Sequence, residues 1–221
     1  MFNSKYSKAL SVLLVIVIIG IVGTVGYFVY DIFVVNAKNN KAKEVVDQFS
    51  DSSIRREFDE KEDKDNGNPD NPLDSISSVE SQKQAGEKTY MEGYEVMGTI
   101  EIPKTGIKYP ILSEVTKKSL ETSVAILYGV GLNEQGNTTI VGHNYRNKLF
   151  FSDNKKLSKG DLVKITDQLG NTVTYEIYDR YETSPSDASY MQRDTGGARE
   201  ISLSTCTDDS SARLILLARE K

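Results

Sequence analysis

The feature that most constrains the fold of this chain is a long apolar run near its N-terminus. The run extends from Ala9 to Tyr30 and contains 22 residues without a charged side chain. As a helix it would span roughly 33 Å, about the thickness of one hydrocarbon core of a lipid bilayer. Its last turn is rich in aromatic residues, which are common at membrane interfaces. We therefore predict one transmembrane helix within residues 9–35.

A cleaved signal peptide is the alternative interpretation of the same run. The run is long for the apolar region of a signal peptide, and no small-x-small cleavage site follows it directly. We therefore predict a retained signal anchor after a short cytoplasmic segment, residues 1–8. Lysines flank the run on both sides, so the positive-inside rule alone does not fix its orientation. The acidic segment that follows favours an extracytoplasmic globular unit held at the cell membrane by a single pass.

Residues 36–92 form a polar spacer between the apolar run and the rest of the chain. The stretch from Asp59 to Pro69 cannot bury enough surface to offset the entropy that is lost when a chain becomes ordered. The part from Lys41 to Phe58 has the composition of a charged helix. We therefore predict a largely disordered or partly helical tether that sets the reach of the following domain from the membrane.

From residue 93 to residue 221 the sequence consists of short apolar or alternating runs separated by turn signals. Such runs are typical of β-strands, and Leu169-Gly170-Asn171 between two of them indicates a hairpin. Only residues 116–122 and 149–157 have patterns suited to helical turns. Seven or eight short strands with little helix predict a mostly β domain, either a closed barrel or a sandwich. The eight runs are 97–102, 107–112, 124–128, 138–141, 161–166, 172–178, 200–204 and 213–217.

The counts of cysteine and histidine exclude several kinds of site. With one cysteine and one histidine, the chain has no intrachain disulfide, no multi-thiolate zinc site and no imidazole-rich metal site. We predict neither a metal nor another cofactor. Residues 93–221 carry 16 basic and 17 acidic side chains, so we predict no nucleic-acid partner for this domain.

Cys206, His143 and Arg213 form the candidate active site. Cys206 lies in Leu203-Ser204-Thr205-Cys206-Thr207, at the end of a predicted strand, and Arg213 follows seven residues later. His143 lies just past another predicted strand, and side chains at strand ends are well placed to converge. A thiol with an ordinary pKa of about 8.5 is a weak nucleophile at neutral pH, and a nearby imidazolium and guanidinium favour the thiolate. The guanidinium can later stabilise the oxyanion that forms when a thiolate attacks a carbonyl.

Each of these residues also has a purely structural interpretation. A single cysteine is often a small buried hydrophobic side chain, and a single histidine on a loop is often merely exposed. Arg213 has Asp208 and Asp209 nearby in the sequence as partners for a surface ion pair. The two acids are adjacent, and such pairs are more often solvated at a turn than bound to a metal. The motif around the cysteine, together with the histidine and the arginine, favours catalysis.

These motifs resemble those of the sortase family. The resemblance rests on the segment 203–207, on the Gly142-His143 step after a strand, and on Arg213 at the start of the next strand. The order of histidine, cysteine and arginine is that of the family, and the similarity covers roughly residues 94–221. Ser202 stands where the family often has threonine. The resemblance implies a closed eight-stranded β-barrel and a cysteine transpeptidase without a cofactor.

The resemblance also implies a role for each residue and a class of partner. Cys206 would be the nucleophile and His143 the general acid–base. Arg213 would bind the substrate backbone and the oxyanion, and Thr205 would contact the substrate. Such an enzyme cuts a Leu-Pro-x-Thr-Gly type of sorting motif between Thr and Gly through a thioacyl-enzyme. The implied partners are surface proteins that carry the motif and an amine of a cell-wall precursor or a pilin lysine.

Local features of the sequence bear on the class of sortase and on two alternative functions. The segment from Tyr181 to Glu200 is too short for the long helical insertion of B-type sortases, which favours an A-like or D-like member. A papain-like cysteine peptidase or peptidoglycan hydrolase is one alternative, but those enzymes place cysteine before histidine. A non-catalytic surface binding module on a stalk is the other alternative. Residues 102–106, Ile-Pro-Lys-Thr-Gly, look like a sorting motif, but their place between two strands predicts a hairpin turn.

Overall fold

The computed structural model describes residues 4–65 and 88–221, with side-chain environments over residues 9–51 and 88–221. The first element is a long helix, α1, from Ser4 to Asp65. It contains the predicted transmembrane run and continues past residue 35 into the predicted spacer. Residues 66–87 of that spacer, and residues 1–3, lie outside the described residues. The predicted domain boundaries therefore stay predictions.

The first compact unit, residues 1–40, contains the apolar part of α1. Within the described residues, α1 is long and apolar enough to cross a membrane. Its large side chains, such as Leu14 and Ile16, are exposed rather than packed into a protein core. A helix of this length and composition is consistent with a single-pass membrane anchor.

The second compact unit, residues 41–221, begins with a helical segment that carries a buried apolar stripe. Ala42, Val45, Val46 and Phe49 are all buried, at the i, i+3, i+4 and i+7 spacing of one helix face. Nζ of the preceding Lys41 forms an ion pair with a carboxylate of the globular domain. This part of the predicted spacer is therefore helical and has one buried face.

The rest of the second unit is a mostly β domain with one short α-helix and one short 3-10 helix. The helix α2 begins at Lys117 and ends at Thr122, with Thr116 as its N-cap. The 3-10 helix extends from Asn154 to Lys156. The strands are β1 (Tyr90–Met91), β2 (Tyr94–Ile102), β3 (Ile107–Leu112), β4 (Val124–Gly129), β5 (Gly136–Val141), β6 (Leu162–Asp167), β7 (Thr172–Thr183), β8 (Arg199–Cys206) and β9 (Arg213–Glu220).

Eight of these strands close into a barrel. Their order around the ring is β2-β3-β4-β5-β8-β9-β7-β6, and β2 pairs with β6 to complete it. β3 pairs with β4, and β5 with β8, in parallel, while the other neighbours are antiparallel. β1 adds two residues to the edge of β2, outside the ring. The predicted closed eight-stranded barrel is confirmed, and each of its eight strands overlaps a predicted run.

The two predicted turns are also present. Leu169, Gly170 and Asn171 connect β6 to β7, and Gly170 has the positive φ of 85° that such a tight turn favours. Residues 103–106 connect β2 to β3, with the N–H of Thr105 donating to the C=O of Ile102 at 3.2 Å. The segment that looks like a sorting motif is therefore a hairpin turn of the barrel.

β8 and β9 are buried on both faces, so β9 is a continuous apolar run and β8 alternates apolar side chains with small polar ones. On one face, Ile215 and Leu217 of β9 form a cluster with Tyr190 from the loop between β7 and β8. On the other face, Leu214 and Leu216 are also buried. The strands that carry the candidate site residues therefore form a rigid part of the barrel.

A cluster of charged side chains around the buried Glu200 lies at the end of β8 opposite to Cys206. The side chain of Glu200 is 0% exposed and forms ion pairs with Arg193 and Arg219. The hydroxyl of Tyr178 donates to the same carboxylate at 2.9 Å. Burial opposes ionisation of Glu200, but the hydrogen bonds from Arg219 and Arg193 outweigh it, so its pKa lies below the ordinary value.

Candidate active site

Two parallel strands bring the histidine and cysteine segments to the same edge of the barrel. β5 and β8 pair over six residue pairs. The pairing continues beyond β5, where the N–H of Gly142 donates to the C=O of Ser204 at 3.2 Å. Oγ1 of Thr205 donates to the C=O of Gly142 at 2.7 Å. The next residue, His143, is therefore aligned with Cys206 in the same parallel register.

The side chain of Arg213 lies against the thiol of Cys206. The two residues are opposite each other in the antiparallel pair of β8 and β9, and Nη1 of Arg213 donates to Sγ of Cys206. Both residues are half-buried, so the thiol is accessible without being fully solvated. A guanidinium is a planar donor that stays charged at all relevant pH values, so the sulfur lies beside a positive charge. The structure thus brings the predicted nucleophile and the predicted arginine into contact.

The two acids that are alternative partners of Arg213 have other contacts. Oδ1 of Asp208 accepts a hydrogen bond from Nδ2 of Asn144 at 2.9 Å. Oδ1 of Asp209 accepts one from Oγ1 of Thr207 at 2.7 Å, the largest of several contacts that lower the pKa of Asp209 to about 2. Within residues 88–221, neither acid forms an ion pair with Arg213.

The imidazole of His143 packs against the ring of Tyr145. Their centroids are 4.9 Å apart, and the ring planes are inclined by 37°. The Tyr145 ring also contacts Phe150 at 5.8 Å, and its backbone N–H donates to Oγ of Ser152 at 3.0 Å. Burial raises the pKa of the Tyr145 hydroxyl, so the phenol is neutral at neutral pH. The contact with Tyr145 restricts the orientation of the imidazole ring.

The amide of Asn144 joins the loop after β5 to the loop after β8. Nδ2 donates to the C=O of Cys206 at 3.0 Å as well as to Asp208. Oδ1 accepts from the N–H of Arg146 at 3.1 Å. Asp208 in turn pairs with Lys155 at 2.7 Å. These contacts fix the backbone on both sides of the candidate nucleophile.

A cavity of about 250 Å³ opens beside Cys206. Phe151 and Leu214 are apolar members of its lining. Its charged members are Lys155, Asp208 and Glu182. No group of three histidine, cysteine, aspartate or glutamate side chains suited to a metal ion occurs among the described residues.

Sequence analysis did not identify Asn144 or Glu182 as site residues. Asn144 directly follows His143, which is the one signal that points to it. Glu182 lies beyond the predicted end of its strand at residue 178, whereas β7 continues to Thr183. The register of β7 on β9 pairs Glu182 with Leu214, in the row next to the pair of Arg213 and Cys206, so its side chain belongs to the opposite face of the sheet.

Comparison with known proteins agrees with this architecture. The Sortase domain family model matches residues 100–221, more than half of the chain. This chain belongs to the sortase family. The matched residues include the three candidate site residues and all of the ring from β3 to β9.

Two curated relatives and two solved structures illustrate the similarity. Sortase A of Bacillus anthracis is 30% identical over 125 residues, which are 55% of this chain and 58% of the relative. Sortase A of Staphylococcus aureus is 26% identical over 133 residues, which are 58% of this chain and 64% of the relative. The match therefore spans less than two thirds of the length of either relative.

Among solved structures, sortase C1 of Streptococcus agalactiae has a TM-score of 0.52 and 30% identity, over 57% of this chain and 67% of that chain. A Clostridium perfringens Sortase D5 transpeptidase has a TM-score of 0.59 at 24% identity, over 82% of this chain and 99% of that chain. At that identity the second likeness concerns the fold alone. These relatives are designated sortases A, C and D, so the comparison does not identify one class for this chain. The A-like or D-like class stays a prediction.

Proposed function

We propose that this sortase is a cysteine transpeptidase in which Cys206 is the nucleophile, His143 the general acid–base and Arg213 the oxyanion donor. The observation that carries the proposal is the convergence of two strand ends with the guanidinium of Arg213 on Sγ of Cys206. Because the chain has one cysteine and one histidine, no other residues are available for these two roles.

In the acylation step, the thiolate of Cys206 attacks the carbonyl carbon of the residue before the cut bond. A C–S bond forms, and the carbonyl oxygen becomes an oxyanion that the guanidinium of Arg213 stabilises. The tetrahedral intermediate then collapses, and the C–N bond breaks. The imidazolium of His143 gives its proton to the leaving amine. A thioacyl-enzyme and a neutral imidazole remain.

In the second step, an amine attacks the thioester carbonyl carbon. A C–N bond forms, and His143 accepts a proton from the attacking nitrogen. The C–S bond breaks, and Cys206 leaves as a thiolate. The starting pair of thiolate and imidazolium is thereby restored.

Thr205 supports the strand end and contributes to the substrate side of the site in this proposal. It lines the cavity beside Cys206 and is only 3% exposed. Its hydroxyl is already donated to the C=O of Gly142. We therefore assign its contact with substrate to its methyl group and backbone rather than to its hydroxyl.

The membrane setting and the partners follow from the helix and from the family. The exposed apolar run of α1 supports a single-pass anchor in the cell membrane with the barrel on the extracytoplasmic side. The substrates are surface proteins with a Leu-Pro-x-Thr-Gly type of motif, cut between Thr and Gly. The acceptor is an amine of a cell-wall precursor or of a pilin lysine. Membership of the sortase family supports these assignments.

A peptide assay with the full-length chain in detergent micelles tests the proposal. A panel of Leu-Pro-x-Thr-Gly peptides is incubated with glycine amide or an Nα-blocked lysine, and products are identified by mass spectrometry. We expect the peptide to end at its Thr and to be joined to the amine, and we expect Cys206→Ala to abolish the product. A product with water alone in the presence of amine would indicate a cysteine peptidase. No product, with a Cys206 thiol that resists alkylation in the native state, would indicate a binding module.

A further inference from the structure

The β7–β8 connection, residues 184–198, lies over the face of the sheet that carries the candidate nucleophile. Side chains two residues apart on a strand point to the same face, so Ser204 of β8 faces the same side as Cys206. The hydroxyl of Tyr190, from this connection, lies 3.2 Å from Oγ of Ser204. The buried Tyr190 ring also forms a cluster with Ile215, the β9 partner of Ser204. Tyr190 therefore lies one row away from Cys206, on the same face.

Side chains of β5 and β8 hold this connection in place. Within the described residues, its backbone-to-backbone hydrogen bonds are local, except for one at its junction with β8. The C=O of Tyr190 accepts hydrogen bonds from Nδ2 of Asn137 at 3.1 Å and from Oγ of Ser202 at 3.2 Å. Nδ2 of Asn137 also donates to the C=O of Met191 at 2.9 Å. The position of Tyr190 thus depends on a small polar network rather than on a strand ladder.

The guanidinium of Arg193 joins this network to the buried carboxylate of Glu200. Its Nε donates to the C=O of Tyr190 at 3.2 Å. Its Nη1 forms an ion pair with Glu200, and its Nη2 donates to Oδ1 of Asn137 at 3.0 Å. The side chain of Arg193 is 18% exposed and that of Glu200 0%, so the pair is largely shielded from water. One planar side chain therefore links the connection to both β5 and β8.

We propose that Arg193 is a positioning residue, which holds the β7–β8 connection on the catalytic face and thereby fixes Tyr190 beside Cys206. This inference rests on the proposed function. A peptide whose carbonyl carbon reaches Sγ of Cys206 must lie on the same face as Tyr190, so a displaced connection changes the space that the peptide enters. Arg193 acts through the connection, because its partner Glu200 lies six residues before Cys206, roughly 20 Å away along an extended strand.

Arg219→Gln is the matched control for Arg193→Gln, because both arginines pair with the same carboxylate of Glu200. Within the described residues, the contacts of Arg219 are with Glu200 and the ring of Tyr178, and none is with the β7–β8 connection. Either substitution leaves Glu200 with a single guanidinium, so we expect both variants to have a lower thermal midpoint. Only Arg193→Gln is expected to release the connection.

The KM for the sorting peptide is the main measurement, made on full-length chains in detergent micelles. We expect it to rise about three- to tenfold in Arg193→Gln, as it does when the binding-competent arrangement is populated only about 10–30% of the time. The kcat and the rate at which iodoacetamide alkylates Cys206 are expected to stay near those of wild type. Deuterium uptake by residues 184–198 should be faster in Arg193→Gln and unchanged in Arg219→Gln.

Arg193→Lys separates charge from positioning. Lysine keeps a positive charge for Glu200, but its single nitrogen lacks the planar fork that holds Tyr190 and Asn137 as well. We therefore expect a thermal midpoint near that of wild type together with a raised peptide KM. This variant also supplies the test if Arg193→Gln does not fold.

Three results would overturn the inference alone while wild type consumes the peptide. These are an unchanged peptide KM in both Arg193 variants, an equal rise in Arg219→Gln, and a wild-type KM restored by Arg193→Lys. The second would assign the effect to the unpaired charge of Glu200, and the third to charge without geometry. Wild type that does not consume the peptide at all would overturn the proposed function together with this role of Arg193.

Discussion

The Gly142→Ala substitution tests whether close packing at the end of β5 sets the position of His143. A Cβ atom at residue 142 would lie 2.8 Å from Cγ1 of Val124 and 2.9 Å from Cδ2 of Phe151. Both neighbours are 0% exposed, so neither can move into solvent to make room. The strand end must therefore shift, and His143 is the next residue along the chain.

The expected losses of stability and of turnover in Gly142→Ala both follow from this geometry. Overpacking of a well-packed core costs about 1–3 kcal/mol of unfolding free energy. For a protein of this size that corresponds to a fall in the thermal midpoint of roughly 2–12 °C. Misplacement of a catalytic group by about 1 Å can cost on the order of 10² in rate. We therefore expect Gly142→Ala to lose turnover even at temperatures where it remains folded.

Gly98→Ala separates the effect on the site from the effect on stability. Its Cβ would meet the C=O of Thr166 and lie 2.5 Å from Cδ1 of Leu132, but β2 pairs with no strand that carries a site residue. Thermal unfolding followed by circular dichroism and peptide turnover well below both midpoints are the measurements. We expect both variants to be destabilised and only Gly142→Ala to lose turnover. Equal turnover losses in the two variants, or a Gly142→Ala variant with native midpoint and turnover, would refute the reasoning.

Three further outcomes are expected. Arg213→Ala and Arg213→Lys should both lower turnover by about 10²–10³ because lysine lacks the planar fork, with little change in the thermal midpoint; intact turnover with a clearly lower midpoint would contradict this. Because the pKa of Glu200 lies below its ordinary value of 4.5, the stability it contributes is present above that pH and is lost as the pH falls through the lowered pKa. Glu200→Gln should therefore lower the thermal midpoint at neutral pH, and its midpoint should fall less than that of wild type when the pH is lowered. An equally steep decrease of the midpoint with falling pH in the variant would contradict this. A chain that begins at Lys41 should unfold at a higher temperature than one that begins at Gly93, because residues 42–49 contain the buried helix face; equal midpoints would show that this face contributes nothing.

The strands of the ring were predictable because each buries side chains in a regular pattern. Residues 201–204 and 214–217 are continuous runs of apolar or small residues, as strands with two buried faces require. Three features were not predictable from local patterns. β1 has only two residues, the end of β7 carries polar residues such as Glu182, and the closing pair of β2 with β6 joins segments that are distant in the sequence.

Some residues of the candidate site were also predictable from the sequence, and others were not. Cys206, His143 and Arg213 stood out because the first two are unique in the chain and all three lie at strand ends. Asn144 is a polar residue of an ordinary type, and its relation to the site depends on a hydrogen bond between two loops that are distant in the sequence. The buried face of residues 42–49 was missed because its four apolar side chains lie within a charged segment that also suits a solvated helix.

The mass of the enzyme during turnover tests the central claim most directly. The full-length chain is mixed with a Leu-Pro-x-Thr-Gly peptide without added amine, quenched in acid, and measured intact and after proteolysis. We expect an added mass equal to the peptide up to its Thr, located on Cys206 and removed by a later addition of amine. The adduct should be absent in Cys206→Ala. Turnover of the peptide with no adduct on Cys206, or with full activity in Cys206→Ala, would contradict the covalent mechanism.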